Sequence, residues 1–176
     1  MKIPFCALFL FLITFSSFAQ KSAYPILSVP DSLKQNADAI LRLDQMDIVI
    51  ASQRSMNIKV QRVVSVLNEK GLDDINSYQH YDKTTSIKNI EAVVYDALGN
   101  EIKKIKRKDF KDQSAVGGST LFSDSRVLYL NYTPVSYPFT IAYTSEIETS
   151  NTAFIPKWDF IGGYNLSVEK CVLNVT

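Results

Sequence analysis

The chain has 176 residues, with 19 basic and 18 acidic side chains and a formal net charge of +1 at neutral pH. A balance this close to neutral gives no general attraction to nucleic acid or to anionic membranes, so a nucleic-acid partner is not expected. The length fits one compact domain that buries its own hydrophobic core.

Residues 1–19 have the pattern of a signal peptide. Lys2 is followed by an apolar run over 3–15 and then by small side chains at Ser17 and Ala19, so cleavage is predicted after Ala19. The run is shorter than the roughly twenty apolar residues that a membrane span needs, and no stable span is expected after cleavage. The sequence thus predicts an exported protein, periplasmic or at the cell surface.

Residues 20–43 are predicted to be a lead-in that contains one short helix. Asp31 or Ser32 can cap its first turn, and Leu33, Ala37, Ile40 and Leu41 follow at helical spacing. From Asp44 to the end, the pattern predicts a separate β-sandwich domain.

Two hairpins are predicted next. Alternating apolar residues over 46–50 and 56–66 flank a polar turn at 52–55, and a second pair of strands over 87–95 and 101–105 flanks turn residues at 96–100. One helical turn is expected within 106–111, followed by a loop over 113–120.

Further strands are predicted over 126–132 and 137–147, and a last pair over 154–161 and 165–175 around Gly162-Gly163. About eight short strands separated by turns favour an antiparallel β-sandwich with one short N-terminal helix. The alternation continues to Thr176, which suggests that a longer polypeptide was cut here.

Reactive side chains are few. Without residues 1–19, the chain keeps one cysteine, Cys171, and one histidine, His80. They could form a thiol–imidazole pair, but Cys171 lies within an alternating strand, whereas reactive thiols sit at helix N-termini or beside cations. A buried structural cysteine is therefore favoured. One Cys and one His also fall short of a zinc site, so no catalytic residue, cofactor or metal is predicted.

Three polar groups have an ordinary explanation. Glu146 and Glu148 share a strand face at a spacing that a glycosidase pair could tolerate, but a solvated face is favoured. Asp73, Asp74 and Asn76 could offer oxygens to calcium, but the glycine and glutamate of a calcium loop are missing, so a polar turn is favoured. The basic residues within 103–111 are interleaved with carboxylates and are interpreted as a solvated strand end that could contact the acidic surface of another domain.

Aromatic side chains cluster in the C-terminal half. The candidate interaction surface comprises Tyr129, Tyr132, Tyr137 and Trp158. The strand over 126–132 is apolar on both faces, as in an interior strand or one that lies under a second domain, so core packing is favoured over an exposed platform.

Several blocks of sequence occur in a familiar order: 62–71, 86–88 with 93–96, 99–102, 124–128 and 143–151. Together they resemble the uncharacterised β-sandwich domain that precedes a transglutaminase-like, papain-related core in secreted bacterial proteins. The resemblance runs from about Asp44 to the end. It implies a catalytic core downstream, with the Cys, His and Asp of that core outside this segment, and it carries over no functional residue.

The first hypothesis is therefore a non-catalytic accessory domain that positions or gates a downstream transglutaminase-like core. The alternative is a free-standing module that binds cell-envelope glycan or peptide through the tyrosine-rich half. A third hypothesis, an enzyme in its own right, lacks a convincing nucleophile–base pair.

Overall fold

A computed structural model describes residues 22–115, 124–159 and 162–176. The predicted signal peptide, and residues 116–120 of the predicted loop, lie outside these ranges. None of the helices within them has the length and apolarity that a bilayer crossing requires.

The described residues form mostly β-structure. A four-residue helix α1 (Asp31–Lys34) and three 3₁₀ turns (Ile26–Ser28, Glu69–Ile75 and Arg107–Asp109) are the helical elements of these ranges. The strands are β1 (Ala39–Ser52), β2 (Ser55–Val66), β3 (Tyr78–Tyr81), β4 (Thr85–Tyr95), β5 (Glu101–Lys106), β6 (Lys111–Ser114), β7 (Arg126–Tyr129), β8 (Phe139–Thr149), β9 (Leu166–Val168) and β10 (Cys171–Val175).

The strands form two sheets. The main sheet has the order β10-β1-β2-β8-β4-β5, with β9 also paired to β1, and the small sheet has the order β3-β7-β6. Pairing is antiparallel except at β1, where β9 and β10 run parallel to it. The predicted mainly-β fold is confirmed, with a mixed rather than purely antiparallel main sheet.

Both predicted hairpins are confirmed. β1 and β2 pair over their whole length, with a bulge at Arg42 that shifts the register from Leu41↔Val64 to Leu43↔Val63 and a second irregularity between Ile50 and Ser52. In the β4–β5 turn, the Asp96 carboxylate accepts the backbone N–H groups of Leu98 and Asn100, each at 2.9 Å. Gly99 has φ +89° there, a conformation that favours glycine.

The core lies between the small sheet and one face of the main sheet, called the inner face below. Alternate residues of β8 point into it, so that Phe139, Ile141, Tyr143 and Ile147 are all buried. Leu128 of the small sheet and Leu130, just after β7, belong to the same cluster. Each such aliphatic or phenyl side chain contributes about 1.5–3 kcal/mol by burial.

Two contacts hold the small sheet and its connection against β8 of the main sheet. The Ser145 hydroxyl donates to Gln79 Oε1 at 3.1 Å, and the rings of Phe110 and Tyr143 are 6.2 Å apart. Both contacts lie over β8, so the small sheet covers the β8 side of the inner face.

The predicted helix is present but shorter than expected. It ends at Lys34, Asn36 takes a left-handed φ of +58°, and β1 begins at Ala39, inside the predicted lead-in. The expectation that Ile40 and Leu41 lie on a helix face is wrong. Both are fully buried in β1 because pairing with β2 gives these branched side chains a packed surface on each face of the sheet.

The predicted last pair of strands is also wrong. Residues 154–159 form no strand, and the stretch 165–175 pairs instead with β1, as β9 and β10, which Glu169 and Lys170 separate. The alternation showed the extended conformation of this stretch but not its partner, because local pattern carries no information on long-range pairing. The short strands β3 and β6 were not predicted.

Candidate interaction surfaces

Two of the four predicted aromatic residues come together at Phe139. The Tyr132 and Tyr137 rings lie 5.6 and 5.8 Å from the Phe139 ring and are tilted to it by 59° and 50°. Lys103 Nζ lies 5.4 Å from the Tyr132 ring centroid, a cation–π distance. Burial raises the pKa of Tyr132. These rings pack on the core, and their tilt does not provide a flat platform for a sugar.

The other two aromatic residues lie elsewhere in the chain. Tyr129 ends β7, in register with Tyr78 and Lys111 on the neighbouring strands of the small sheet. Trp158 is half-buried in the segment that connects β8 to β9.

The Cys171–His80 pair considered above is not supported. His80 lies in β3 of the small sheet and packs edge-on against Tyr78 at 5.3 Å, whereas Cys171 begins β10 of the main sheet. Burial and the nearby Asp44 carboxylate raise the pKa of the Cys171 thiol, with Arg62 opposing them. A raised pKa keeps the thiol protonated, which disfavours a nucleophile.

The acidic candidates lie on a solvated strand face and in a polar turn, the environments that the sequence analysis favoured. Glu146 is exposed, and Glu148 pairs with Lys88 at 2.6 Å, a contact that lowers the pKa of Glu148. Asp73 and Asp74 belong to the 3₁₀ turn Glu69–Ile75. Within the part of the chain that the structure describes, no three His, Cys, Asp or Glu side chains are grouped to hold a metal ion.

A buried ion pair on the inner face was not anticipated. Arg62 Nη1 donates to Asp44 Oδ2 at 2.8 Å, and the Asp44 side chain is only 11% exposed. Burial raises the pKa of Asp44, with Arg62 opposing the shift. The available sequence signal was Arg62 itself, the one charged residue on the otherwise apolar face of β2.

The basic run within 103–111 is largely exposed, as predicted. Lys104 pairs with Glu91 at 3.1 Å, and Arg107 donates from Nη1 to the Ile87 carbonyl at 2.7 Å. This run borders the β5 edge of the main sheet.

The inner face keeps an apolar area near β10. By register, five partly exposed apolar side chains lie on the β10 side of this face, around the fully buried Ile48: Met46, Ile50, Val60, Leu173 and Val175. Ile50, Leu173 and Val175 are 42%, 39% and 46% exposed, and the other two are half-buried. We call this set the apolar corner.

Comparisons with known proteins fit this architecture. No curated protein matches the chain. Among solved structures, a crystal structure of a putative protease from Parabacteroides distasonis aligns with a TM-score of 0.58 at 12% identity, over 78% of this chain. The chain spans 29% of the length of that protein. At this identity, the likeness concerns the fold alone.

A family model gives the assignment. It matches residues 52–175, from the β1–β2 turn to the end of β10, and describes a domain of unknown function with a solved structure. The chain therefore belongs to the DUF3857 family.

Proposed function

We propose that this DUF3857 domain is a non-catalytic accessory module of an exported protein, and that its apolar corner packs against a transglutaminase-like catalytic neighbour in the same polypeptide. The observation that carries the proposal is the apolar corner itself. Exposed apolar side chains that lie together are typical of surfaces that another protein surface covers.

The position of the corner supports docking. It continues the packed inner face toward β10, so a neighbour placed there would extend the existing core. Met46 and Val60 already pack against that core with one part of their surface. Docking would remove the remaining apolar surface from water, which would stabilise the docked state by about 25 cal/mol for each Å² buried.

The relation to a larger protein gives further support. The fold matches 29% of the P. distasonis chain, which is described as a putative protease. Cys171 and His80 of this chain do not form a reactive pair, because burial raises the pKa of the Cys171 thiol and His80 lies in the other sheet. A catalytic centre supplied by a neighbour fits both observations.

Val49 and Val175 provide a matched pair of substitutions. Both are 46% exposed, but Val175 lies in the apolar corner, whereas Val49 points to the opposite face of β1. In the complete gene product, we expect Val175→Glu to change catalytic turnover and to speed limited proteolysis between the domains. Val49→Glu should change neither, because it adds the same charge to a face that stays in water.

Two results would contradict the proposal. One is an intact secreted protein whose mass does not exceed the 19.8 kDa of this chain, since no neighbour would then exist. The other is an equal response to the Val175 and Val49 substitutions, because docking through the apolar corner requires them to differ.

A further inference from the structure

A second surface lies at the opposite side of the molecule, where the chain passes from β5 to β6. Six residues from the small sheet and from the β5–β6 connection line a groove of about 480 Å³: Tyr81, Arg107, Lys108, Phe110, Asp112 and Leu128. We call it the seam groove. It shares no residue with the apolar corner.

The apolar part of the groove is packed into the core. Phe110 and Leu128 are 6% and 5% exposed and belong to the core cluster, and the Phe110 ring is also held against Tyr143. Side chains fixed in this way give a groove a pre-formed apolar lining, which reduces the entropic cost of binding.

The single carboxylate of the groove is already occupied. Asp112 Oδ2 accepts from the Tyr81 hydroxyl at 2.8 Å, and Oδ1 accepts from Arg126 Nε at 3.1 Å. Desolvation acts against ionisation, but these two hydrogen bonds lower the pKa of Asp112. Its negative charge is therefore compensated by Arg126 in the small sheet and, in part, by the nearby Arg107.

The two cations of the groove are Arg107 and Lys108, and neither forms a close ion pair with a described residue. Arg107 donates from Nη1 to the Ile87 carbonyl, which anchors the guanidinium while its other N–H groups remain available. Lys108 is exposed, and no ion pair to it is present among the described residues. The nearest acidic neighbour in sequence, Asp109, accepts from the Lys106 backbone N–H at 3.1 Å.

We propose that the seam groove binds a peptide through a carboxylate and an adjacent apolar side chain. The guanidinium fork of Arg107 matches the planar geometry of a carboxylate, and Lys108 adds a second positive charge. An apolar side chain beside the carboxylate would contact Phe110 and Leu128. The volume lies within the roughly 300–1,000 Å³ of ligand pockets and exceeds what a small inorganic anion needs.

Two peptide sources share this chemistry: an acidic side chain followed by an apolar residue, and an apolar residue at a free C-terminus. Fluorescence anisotropy with the full chain distinguishes them with three labelled pentapeptides. The first ends in glutamyl-phenylalanine amide, the second in glutaminyl-phenylalanine amide, and the third in glutaminyl-phenylalanine with a free carboxylate. Binding of the first peptide identifies an acidic side chain as the ligand group, and binding of the third identifies the C-terminus.

We expect the uncharged second peptide to bind at least about tenfold more weakly than the better of the other two, as loss of a charge-assisted hydrogen bond predicts. Added salt should weaken the binding of the charged peptide. Equal binding of all three peptides, or no binding of any at millimolar concentration, would overturn the proposal.

Variants test the residues. Lys108→Glu should reduce affinity for the charged peptide at least about tenfold, whereas Lys70→Glu, the same change at an exposed lysine outside the groove, should not. Arg107→Lys keeps the charge but loses the fork, so we expect an intermediate loss without loss of fold. Wild-type affinity in both groove variants would contradict the proposed ligand contacts.

Discussion

The two edges of the main sheet differ in their chemistry. The β5 edge has the sequence Glu-Ile-Lys-Lys-Ile-Lys, with four charged side chains in six residues, whereas the β10 edge has the sequence Cys-Val-Leu-Asn-Val, with none. Charged side chains, and lysines above all, keep an edge strand from pairing with other chains. The β5 edge is thus protected against edge-to-edge pairing, and the β10 edge is not.

Backbone geometry sharpens this difference. Lys170 and Thr176 bond to β1 through their backbone groups. In the alternating pattern of a parallel ladder, Leu173 and Val175 therefore point their N–H and C=O groups away from β1. The uncharged edge and the apolar corner lie on the same side of the molecule, and together they form the surface best suited to a docked neighbour.

The first prediction compares a buried side chain on the β5 side of the main sheet with a partly exposed one on the β10 side. Phe110→Ala should lower the free energy of unfolding by about 3–5 kcal/mol, because it removes a buried ring that joins the sheets. Leu173→Ala should cost less than about 1 kcal/mol in a protein without its neighbour, because its side chain is 39% exposed. Urea unfolding measures both values, and similar losses would mean that the β10 side is as fully packed as the β5 side.

The second prediction concerns the ion pair beside β10. Arg62→Ala should lower the free energy of unfolding by roughly 2–3 kcal/mol at neutral pH, because it leaves the Asp44 carboxylate buried without its partner. Urea unfolding of the variant and the wild type gives this difference.

The same variant has a defined pH dependence. Burial raises the pKa of Asp44 in the folded protein, and Arg62 opposes that shift. A raised folded pKa favours folding below the unfolded value, and this contribution is lost as pH rises through the folded pKa. Without Arg62, the pKa of Asp44 rises further, so the destabilisation should be smallest in acid and grow toward neutral pH. A pH-independent loss would be inconsistent with this explanation.

The third prediction exchanges the characters of the two edges. Lys104→Val combined with Lys106→Val should strengthen self-association several-fold, on the order of 1 kcal/mol, by removing the charges that protect β5. Leu173→Lys should weaken any self-association through β10. Sedimentation velocity at several concentrations measures both, and an unchanged association constant in the β5 variant would show that its lysines do not protect the edge.

The fourth prediction concerns the small sheet. Tyr81→Phe removes the hydroxyl that donates to Asp112, with an expected loss below about 1 kcal/mol because the pair is solvent-exposed. Desolvation raises the pKa of Asp112, but the hydrogen bonds from Tyr81 and Arg126 outweigh it, so the folded pKa is lowered. The stabilisation is therefore present at neutral pH and lost as pH falls through the folded pKa. The free energies of unfolding of the variant and the wild type should then become equal in acid. Divergence in acid would contradict the assignment.

The sequence was sufficient for elements that local pattern specifies. The hairpins β1–β2 and β4–β5 could be predicted because alternating burial and turn residues occur within one short stretch. The predicted helix was overextended because Ile40 and Leu41 fit a helical period as well as a strand, and only the pairing with β2 decides between them. The parallel pairing of β10 could not be predicted because it joins residues far apart in sequence.

The candidate surfaces were less predictable for the same reason. Tyr132 and Tyr137 both pack against Phe139, a contact that the sequence pattern did not specify. The Asp44–Arg62 pair depends on the register around the Arg42 bulge, and the seam groove joins Tyr81, Arg107 and Leu128 from separate strands and a turn. The order of residues in the sequence indicated that basic side chains border β5. It did not indicate that Arg107 is anchored beside an apolar lining.

The most direct test of the docking account is hydrogen–deuterium exchange on the complete gene product and on the same protein cut after this domain. The account predicts that the backbone N–H groups of Leu173 and Val175 are protected in the complete protein and exchange quickly after the cut, while those of β5 exchange alike in both. Equally fast exchange of Leu173 and Val175 in the two proteins would contradict it.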